Sequence, residues 1–505
     1  MASKKQFVFN VGMNWASMAV SMVVPFFLAP FVIRSLGTTA YGIWILATST
    51  VSYLSILDLG LRSAIIRFVS KAVAQEKPED ARHAIAAALW VRILISTGVA
   101  ILSVILAAAF PHLFKIPPDL QRAAQITVLM CALGVAFSLV SGVFGAVLAA
   151  THRFDILSSI SATQTLARAG GVVLILSTGH GLISLAYWEV TVGLLGGLAT
   201  FGMAWKTFPL CRIGIRRPEM PVLKRMWSYS LTTFIFIIAV QIVTNTDNLV
   251  VGALIGVKMV AFYAIGGSLM DYSWRVVSAV STTFTPMASN LEAKGKTAEL
   301  QSFLLRGTQA TLGLAMPISV ALALRGKTFI GLWMGPQYSE IAGTVLQILM
   351  ISQFFGVANG TAGSIMMAIE KHKPVAKFAV IEAAFNLCLS LVMAKTIGLY
   401  GVAWGTSIAM ASVHLYFWPK YVRKVLGVPI RTYVWDGWLK ITACSLPYAA
   451  LLAITDRYWH AGNLISFFAQ ILAVLPVFVI CVAIVFRSEV RTLFSKWQAS
   501  RLVQA

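Results

Sequence analysis

Arg34-Ser-Leu-Gly37-Thr-Thr-Ala-Tyr41-Gly42 opens the stretch from which the rest of the chain is read. Asp58-Leu-Gly-Leu-Arg62-Ser-Ala-Ile-Ile-Arg67-Phe68 closes it. Between them runs an apolar segment of roughly membrane-spanning length, about 20 residues. A tight glycine-containing turn feeds that segment, and one acid with two arginines ends it. Charge in the last turns of a membrane helix either snorkels to the surface or lines something wet.

The stretch has a partner further along. Leu36-Gly37 is matched by Ile255-Gly256, an offset of 256 − 37 = 219. The same offset sets Ser70-x3-Ala74-x2-Lys77 on Ser289-x3-Ala293-x2-Lys296, and Leu113-Phe114-x2-Pro117 on Leu332-Trp333-x2-Pro336. One residue later, at 220, His152-Arg153 meets His372-Lys373 and Gly181 meets Gly401. Matches in order at a nearly constant offset indicate a duplicated half of about that length. The competing reading is that similar helices have similar turns.

Composition decides the class. Hydrophobic residues make up 58% of the chain and charged ones 11%, against about 25% charged in soluble domains. Such a chain cannot cover a soluble surface and is expected to cross a membrane many times. Lys4 and Lys5 precede an apolar run too long for a signal-peptide core, so a retained first helix is expected. The net charge of +22 would suggest nucleic acid in a soluble protein. Here the cations sit in short loops, where the positive-inside rule and anionic lipid headgroups account for them. The five cysteines show neither a metal spacing nor a disulfide framework.

Fourteen spans are expected, near 10–33, 40–66, 83–110, 123–150, 156–178, 181–204, 227–252, 260–285, 299–324, 341–369, 375–397, 401–418, 438–457 and 462–486. With the N-terminus inside, the inner loops collect most cations, among them Lys71, Lys77, Arg153, Arg216, Arg217, Lys371, Lys373, Arg423 and Lys424. The outer loops hold Arg34, Lys115, Arg122, Lys258, Arg325, Lys327 and Arg457. This asymmetry places both termini in the cytoplasm and Gly179-His180-Gly181 outside. The division expected is an N-terminal six-helix lobe over 1–215, a second six-helix lobe over 216–430, and two additional helices with a basic cytoplasmic tail over 431–505. The basic link from Trp205 to Trp227, with Arg216-Arg217-Pro218 in it, joins the lobes. Pro25 and Pro30 in the first span mark either a static kink or a hinge.

Ionised side chains inside a bilayer are costly, so those that persist face protein or water. The candidates are Asp58, Arg62, Arg92, Arg168, Glu189, Asp247, Asp271, Arg275, Arg306 and Glu382. Asp58/Arg62 and Asp271/Arg275 are spaced i, i+4 and so able to pair along one helix face. Such pairs either hold helices together or line a polar path. Arg168 lies mid-span with no acid within one turn of it. Asp247 lies in Thr244-Asn245-Thr246-Asp247-Asn248, which suits either a wet cavity or an interhelical hydrogen-bond cluster. Walker loops, zinc spacings and nucleophile elbows are missing from the sequence, and the external loops are short, so no enzyme and no cofactor or metal is expected.

Several stretches resemble the polysaccharide-transporter branch of the MOP superfamily of exporters. They are Leu36-Gly37-x3-Tyr41-Gly42 with Asp58-Leu-Gly-Leu, Asp247-Asn248-Leu-Val-Val-Gly252-x3-Gly256-x6-Tyr263-Ala264, and Ala149-x3-Arg153-Phe154. The resemblance implies an all-α integral membrane protein of two pseudo-symmetric six-helix lobes facing a cavity, with alternating access. It implies a flippase for a polyprenyl-pyrophosphate-linked oligosaccharide in the plasma membrane, in contact with membrane lipids and with polysaccharide polymerase and export machinery, and no nucleic acid. Guanidinium suits a pyrophosphate because its fork matches phosphate oxygens and its charge is permanent. Arg168, Arg62, Arg92, Arg306 and Arg275 are therefore the expected substrate-binding residues, with Arg168 foremost, helped by Arg62 and Arg92. Asp247 and Glu189 are the expected ion-coupling residues. The alternatives are a small-molecule drug exporter of the same superfamily and a membrane-embedded glycan polymerase or ligase.

Overall fold

Apolar runs of about 20 residues leave the backbone one economical solution in lipid, which is to satisfy every N–H and C=O within a helix. The computed structural model describes residues 4–209 and 220–487, with side chains described within 12–209 and 234–487. The basic link around Arg216-Arg217-Pro218 and the tail cations Arg491, Lys496 and Arg501 lie outside the described residues. The described chain is helical throughout, with no strand.

Contacts divide the chain into two compact units, Met1–Ala261 and Phe262–Ala505. This contact boundary differs from the boundary after 215 expected from the repeat, because the first unit retains α8 and the turn that follows it.

The first unit begins with α1 (Lys4–Leu36), which contains Pro25 and Pro30. The second span is not one helix. It consists of α2 (Thr38–Ser52), a 3-10 turn (Tyr53–Asp58) and α3 (Leu61–Ala74), separated by left-handed Leu59 and Gly60. Then come α4 (Pro78–Leu113), α5 (Gln121–Ala150), α6 (Phe154–Ser177), α7 (Leu182–Thr207) and α8 (Met220–Leu254). Pro78 opens α4 where its missing N–H costs nothing, and Glu79 and Asp80 face the positive end of the helix dipole. The core of this unit joins α3, α4, α5, α6 and α7 through many alanines, including Ala64, Ala84, Ala88, Ala146 and Ala204. Small residues let membrane helices approach closely, which substitutes for the hydrophobic drive that lipid removes.

The chain crosses into the second unit within α9 (Val257–Thr283) and continues as α10 (Thr285–Ala293), α11 (Thr297–Trp333), α12 (Pro336–Ala368), α13 (Lys373–Ile397) and α14 (Leu399–Leu426). The last two spans are α15 (Ile430–Val434), a π turn, α16 (Lys440–Ala443) and α17 (Ser445–Tyr458), and then α18 (Leu464–Val485). Asn463 and Ser466 close a reciprocal capping box on α18. Among the described residues twelve segments qualify as spans by length and composition. The two expected spans outside that set, at 260–285 and 401–418, are the more polar helices α9 and α14.

Arg325 and Lys327 do not lie in an external loop, as their charges suggested. Helix α11 continues past them to Trp333, with a kink at Arg325. Arg325 is 1% exposed, and its Nε donates to Asp456 Oδ1 of α17 at 2.8 Å, with Nη2 at the same distance in the ion pair. Its guanidinium also lies 5.0 Å from the Phe467 ring of α18. Tyr448 of α17 donates to the Pro317 carbonyl of α11 at 3.3 Å. The last two spans therefore share one core with α11, α12 and α14.

The repeat is visible in backbone geometry. Glu76 and Gly295, which are 219 apart, both have positive φ, 55° and 66°. Glu76 N bonds Val73 O, and Gly295 N bonds Glu292 O. Lys77 N bonds Ala72 O, and Lys296 N bonds Leu291 O. Every one of these partners is displaced by 219. Gly37 and Gly256 also share positive φ at the starts of α2 and α9. The fourth turn is in a different register from the sequence match. Arg153 N bonds Leu148 O as Lys371 N bonds Met366 O, so Arg153 corresponds to Lys371, at 371 − 153 = 218, and not to Lys373.

Candidate functional site

The charged side chains of the spans fall into separate groups, each built by one local feature of the chain. The first follows from the break in the second span. Left-handed Leu59 and Gly60 interrupt the helix between Asp58 and Arg62, so the expected i, i+4 pair does not form. Asp58 is held instead by Arg92 of α4 through Nη2. Arg92 is 3% exposed, and its Nη1 donates to the Leu139 carbonyl of α5 at 3.1 Å. The pair ties the break to α4 and α5. Arg92 is thus already engaged with an acid and a backbone carbonyl within this unit. Arg62 is left on the exposed side of α3. No protein partner of Arg62 is found among the described residues.

The second group joins two candidates expected to act apart. Arg168 Nε of α6 lies 3.0 Å from Glu189 Oε1 of α7, with side chains 42% and 34% exposed. The acid missing from the turns around Arg168 comes from the neighbouring helix. On the same seam Trp188 Nε1 donates to Ala167 O at 3.2 Å and Gln164 Nε2 to Val192 O at 3.3 Å. Gly171 and Gly196 make this possible, since a Cβ at either would collide with Trp188 or Gln164.

The third group is the polar run of α8. Gln241 Nε2 donates to Ser52 O at 2.6 Å, and Asn248 Nδ2 to Ser49 Oγ at 3.0 Å. Tyr53 and Thr246 share a hydroxyl bond at 2.5 Å. Asp247 is buried within this cluster. The run fastens α8 to α2 and the 3-10 turn, as an interhelical hydrogen-bond cluster would. At the start of α2, Gly42 packs so closely on the first residue of α9 that a side chain there would strike the Val257 carbonyl.

In the second unit Arg275 and Asp271 are exposed on α9 one turn apart, and Arg306 is exposed on α11. Glu382 of α13 is buried and lies 3.3 Å from His414 Nε2 of α14. Sequence reasoning flagged Glu382 but passed over His414. The available signal was an imidazole set among apolar neighbours, Val413 and Leu415. Outside the spans, Arg153 forms a two-point bond with Asp155, both contacts at 3.1 Å, and that bond raises the Arg153 pKa above its ordinary value. Among the described residues no group of three His, Cys, Asp or Glu side chains is placed to hold a metal.

With this geometry in view, a family model described as polysaccharide biosynthesis protein matches residues 31–343, more than half of the chain. The chain belongs to that family. It is 23% identical over 445 residues to the uncharacterized membrane protein EpsK of Bacillus subtilis, covering 84% of each. It is 21% identical to the probable low-salt glycan biosynthesis flippase Agl15 of Haloferax volcanii, covering 87% of this chain and 88% of that one. Its fold superposes on the lipid II flippase MurJ in an inward closed conformation with a TM-score of 0.73 at 18% identity, over 96% of this chain and all of that one. The resemblance read from the first turn, Asp58 and the α8–α9 stretch holds at the level of family and fold.

Proposed function

We propose that the chain is a flippase that carries a polyprenyl-pyrophosphate-linked oligosaccharide from one leaflet of the plasma membrane to the other by alternating access. Family membership supports the pathway, and the flippase named among its relatives supports the cargo class. The observation that carries the reading is Arg62, a cation inside a span, exposed and without a protein partner among the described residues. A side chain left so exposed in a lipid-embedded segment is costly unless it meets water or an anion. A pyrophosphate is such an anion, and it needs fixed donors to replace its hydration. Arg275 and Arg306 offer the same chemistry on α9 and α11. Arg168 is the residue most open to competition, since a polyanion arriving at it takes the place of Glu189. Asp247, enclosed by its hydrogen-bond cluster, and Glu189, paired with Arg168, remain proposals for ion coupling. A small cationic drug is a poorer fit to these exposed arginines. A polymerase or export partner would receive the glycan on the far side.

The direct test uses proteoliposomes holding a polyprenyl-pyrophosphate-linked glycan in the inner leaflet. Purified protein should expose the glycan to an added glycosidase at a rate proportional to protein. Exposure no faster than in protein-free vesicles would remove the flippase reading.

The same reading places both termini in the cytoplasm. His180, an exposed residue of the turn between α6 and α7, is then external. A cysteine at His180 should react with an impermeant thiol reagent added to intact cells. Reaction only after the membrane is opened would reverse the assignment from α6 onward.

A further inference from the structure

The second unit contains a chain of four buried polar side chains that the cargo reading does not use. Glu382 on α13, His414 on α14, Asn359 on α12 and Tyr433 on α15 are 9%, 7%, 2% and 0% exposed. His414 Nε2 lies 3.3 Å from Glu382 Oε2. Its other nitrogen, Nδ1, lies 3.0 Å from the Phe355 carbonyl and 3.1 Å from Asn359 Nδ2. Asn359 Nδ2 also donates to the Phe355 carbonyl at 3.1 Å, and Tyr433 donates to Asn359 Oδ1 at 3.0 Å.

The two contacts at Nδ1 exclude one another. A carbonyl oxygen only accepts and an amide nitrogen only donates, so Nδ1 serves the first when protonated and the second when bare. With Nδ1 bare, Nε2 carries the ring proton and donates to the Glu382 carboxylate, and the pair has one net negative charge. With a proton on Nδ1, the ring is a cation beside that carboxylate and the pair is neutral. The Phe355 carbonyl takes only a donor, which orients the Asn359 amide with Nδ2 towards it and Oδ1 towards Tyr433. The two hydrogen-bond patterns therefore differ by one bound proton.

We propose that Glu382–His414 is a proton-binding site and that Asn359 and Tyr433 transmit its occupancy to α15. Protonation of Nδ1 turns an acceptor into a donor against the Asn359 N–H, which must move away. Asn359 is held at its other end by Tyr433, so α15 feels that movement. The surroundings leave little else to titrate. Glu382 is the acid that α13 brings to the ring, and Tyr433 the phenol that α15 brings to Asn359. Helix α12 presents Asn359 and the carbonyls of Phe355 and Ala358, the latter 3.4 Å from the Tyr433 hydroxyl. Helix α14 adds the Trp418 ring, 6.0 Å from the imidazole. Among the described residues, the Glu382–His414 contact is the ion pair found for these four side chains. None of these contacts depends on the identity of the cargo.

The test is nitrogen NMR of the full-length protein, labelled with 15N-histidine, in lipid nanodiscs. The His414 signals are identified by their loss in His414→Gln. They should pass from the neutral to the doubly protonated pattern as the pH is lowered. Glu382→Gln should lower the proton affinity about tenfold or more, because it removes the opposing charge. A spin label at Arg431, exposed on α15, should change mobility over the same pH range in the wild type and lose that response in Tyr433→Phe. His414 signals indifferent to pH overturn the site, as does a response to sodium at fixed pH without one to protons. An unchanged midpoint in Glu382→Gln overturns the pairing. A pH-independent label at Arg431 in the wild type, or a response that persists in Tyr433→Phe, overturns the transmission to α15.

Discussion

Arg62→Ala abolishes glycan exposure in the proteoliposome assay while the protein inserts, purifies and unfolds like the wild type. Arg62 has no protein partner among the described residues, so its removal leaves no buried charge behind. The loss falls on the cargo. Charge-assisted hydrogen bonds contribute about 1.5–3 kcal/mol each, so losing a two-point grip on phosphate oxygens slows translocation by about 100-fold or more. Arg62→Lys recovers part of that rate, since charge returns without the planar fork. Arg92→Ala is the contrasting control. It strands Asp58 in a packed region, and removing one partner of such a pair costs about 3–5 kcal/mol. Its deficit should appear as loss of folded protein. Wild-type translocation by Arg62→Ala at matched protein level would remove Arg62 from the cargo site.

Gly42→Val biases the transport cycle by keeping two turns apart. In the structure α2 lies against the first residue of α9, and Gly42 leaves no room for a side chain before the Val257 carbonyl. Backbone carbonyls yield less readily than side chains, and overpacking of this kind costs about 1–3 kcal/mol. That corresponds to roughly a 5- to 150-fold shift between two conformations. Spin labels at Ser35 and Lys258, exposed residues flanking the two turns, should show a short-distance population in the wild type and a longer one that substrate changes. In Gly42→Val the short population should fall below detection, and translocation should fall with it. A short distance that survives the substitution would mean that the contact is not a gate.

Much of the fold was legible because lipid constrains it so tightly. Apolar runs locate the helices, and the 219-residue offset reappears as backbone hydrogen bonds at Glu76 and Gly295. The errors share one cause. Sequence spacing reports neighbours along a helix, whereas the partners of charges in these spans come from other helices. Asp58 was matched to Arg62 because four residues separate them, but left-handed Leu59 and Gly60 end the helix between the two. Arg168 looked isolated because Glu189 lies on α7. Arg325 and Lys327 looked like loop residues because cations usually mark loops. Asp456, which is 131 residues later, lets Arg325 be buried, and no local pattern announces it. His414 was missed because a lone histidine among apolar residues means little until Glu382 and Asn359 are seen beside it.

The tie between Asp58 and Arg92 also bears on how the chain is made. Synthesis delivers Asp58 before α4 exists, and its counter-charge lies 92 − 58 = 34 positions further along. An aspartate alone at mid-membrane costs about 2.5–3.5 kcal/mol on insertion scales. The second span is therefore poorly suited to leave the insertion machinery for lipid on its own. Its acid gains a counter-charge when α4 arrives and Arg92 covers it, which makes the second and third spans a pair for the bilayer.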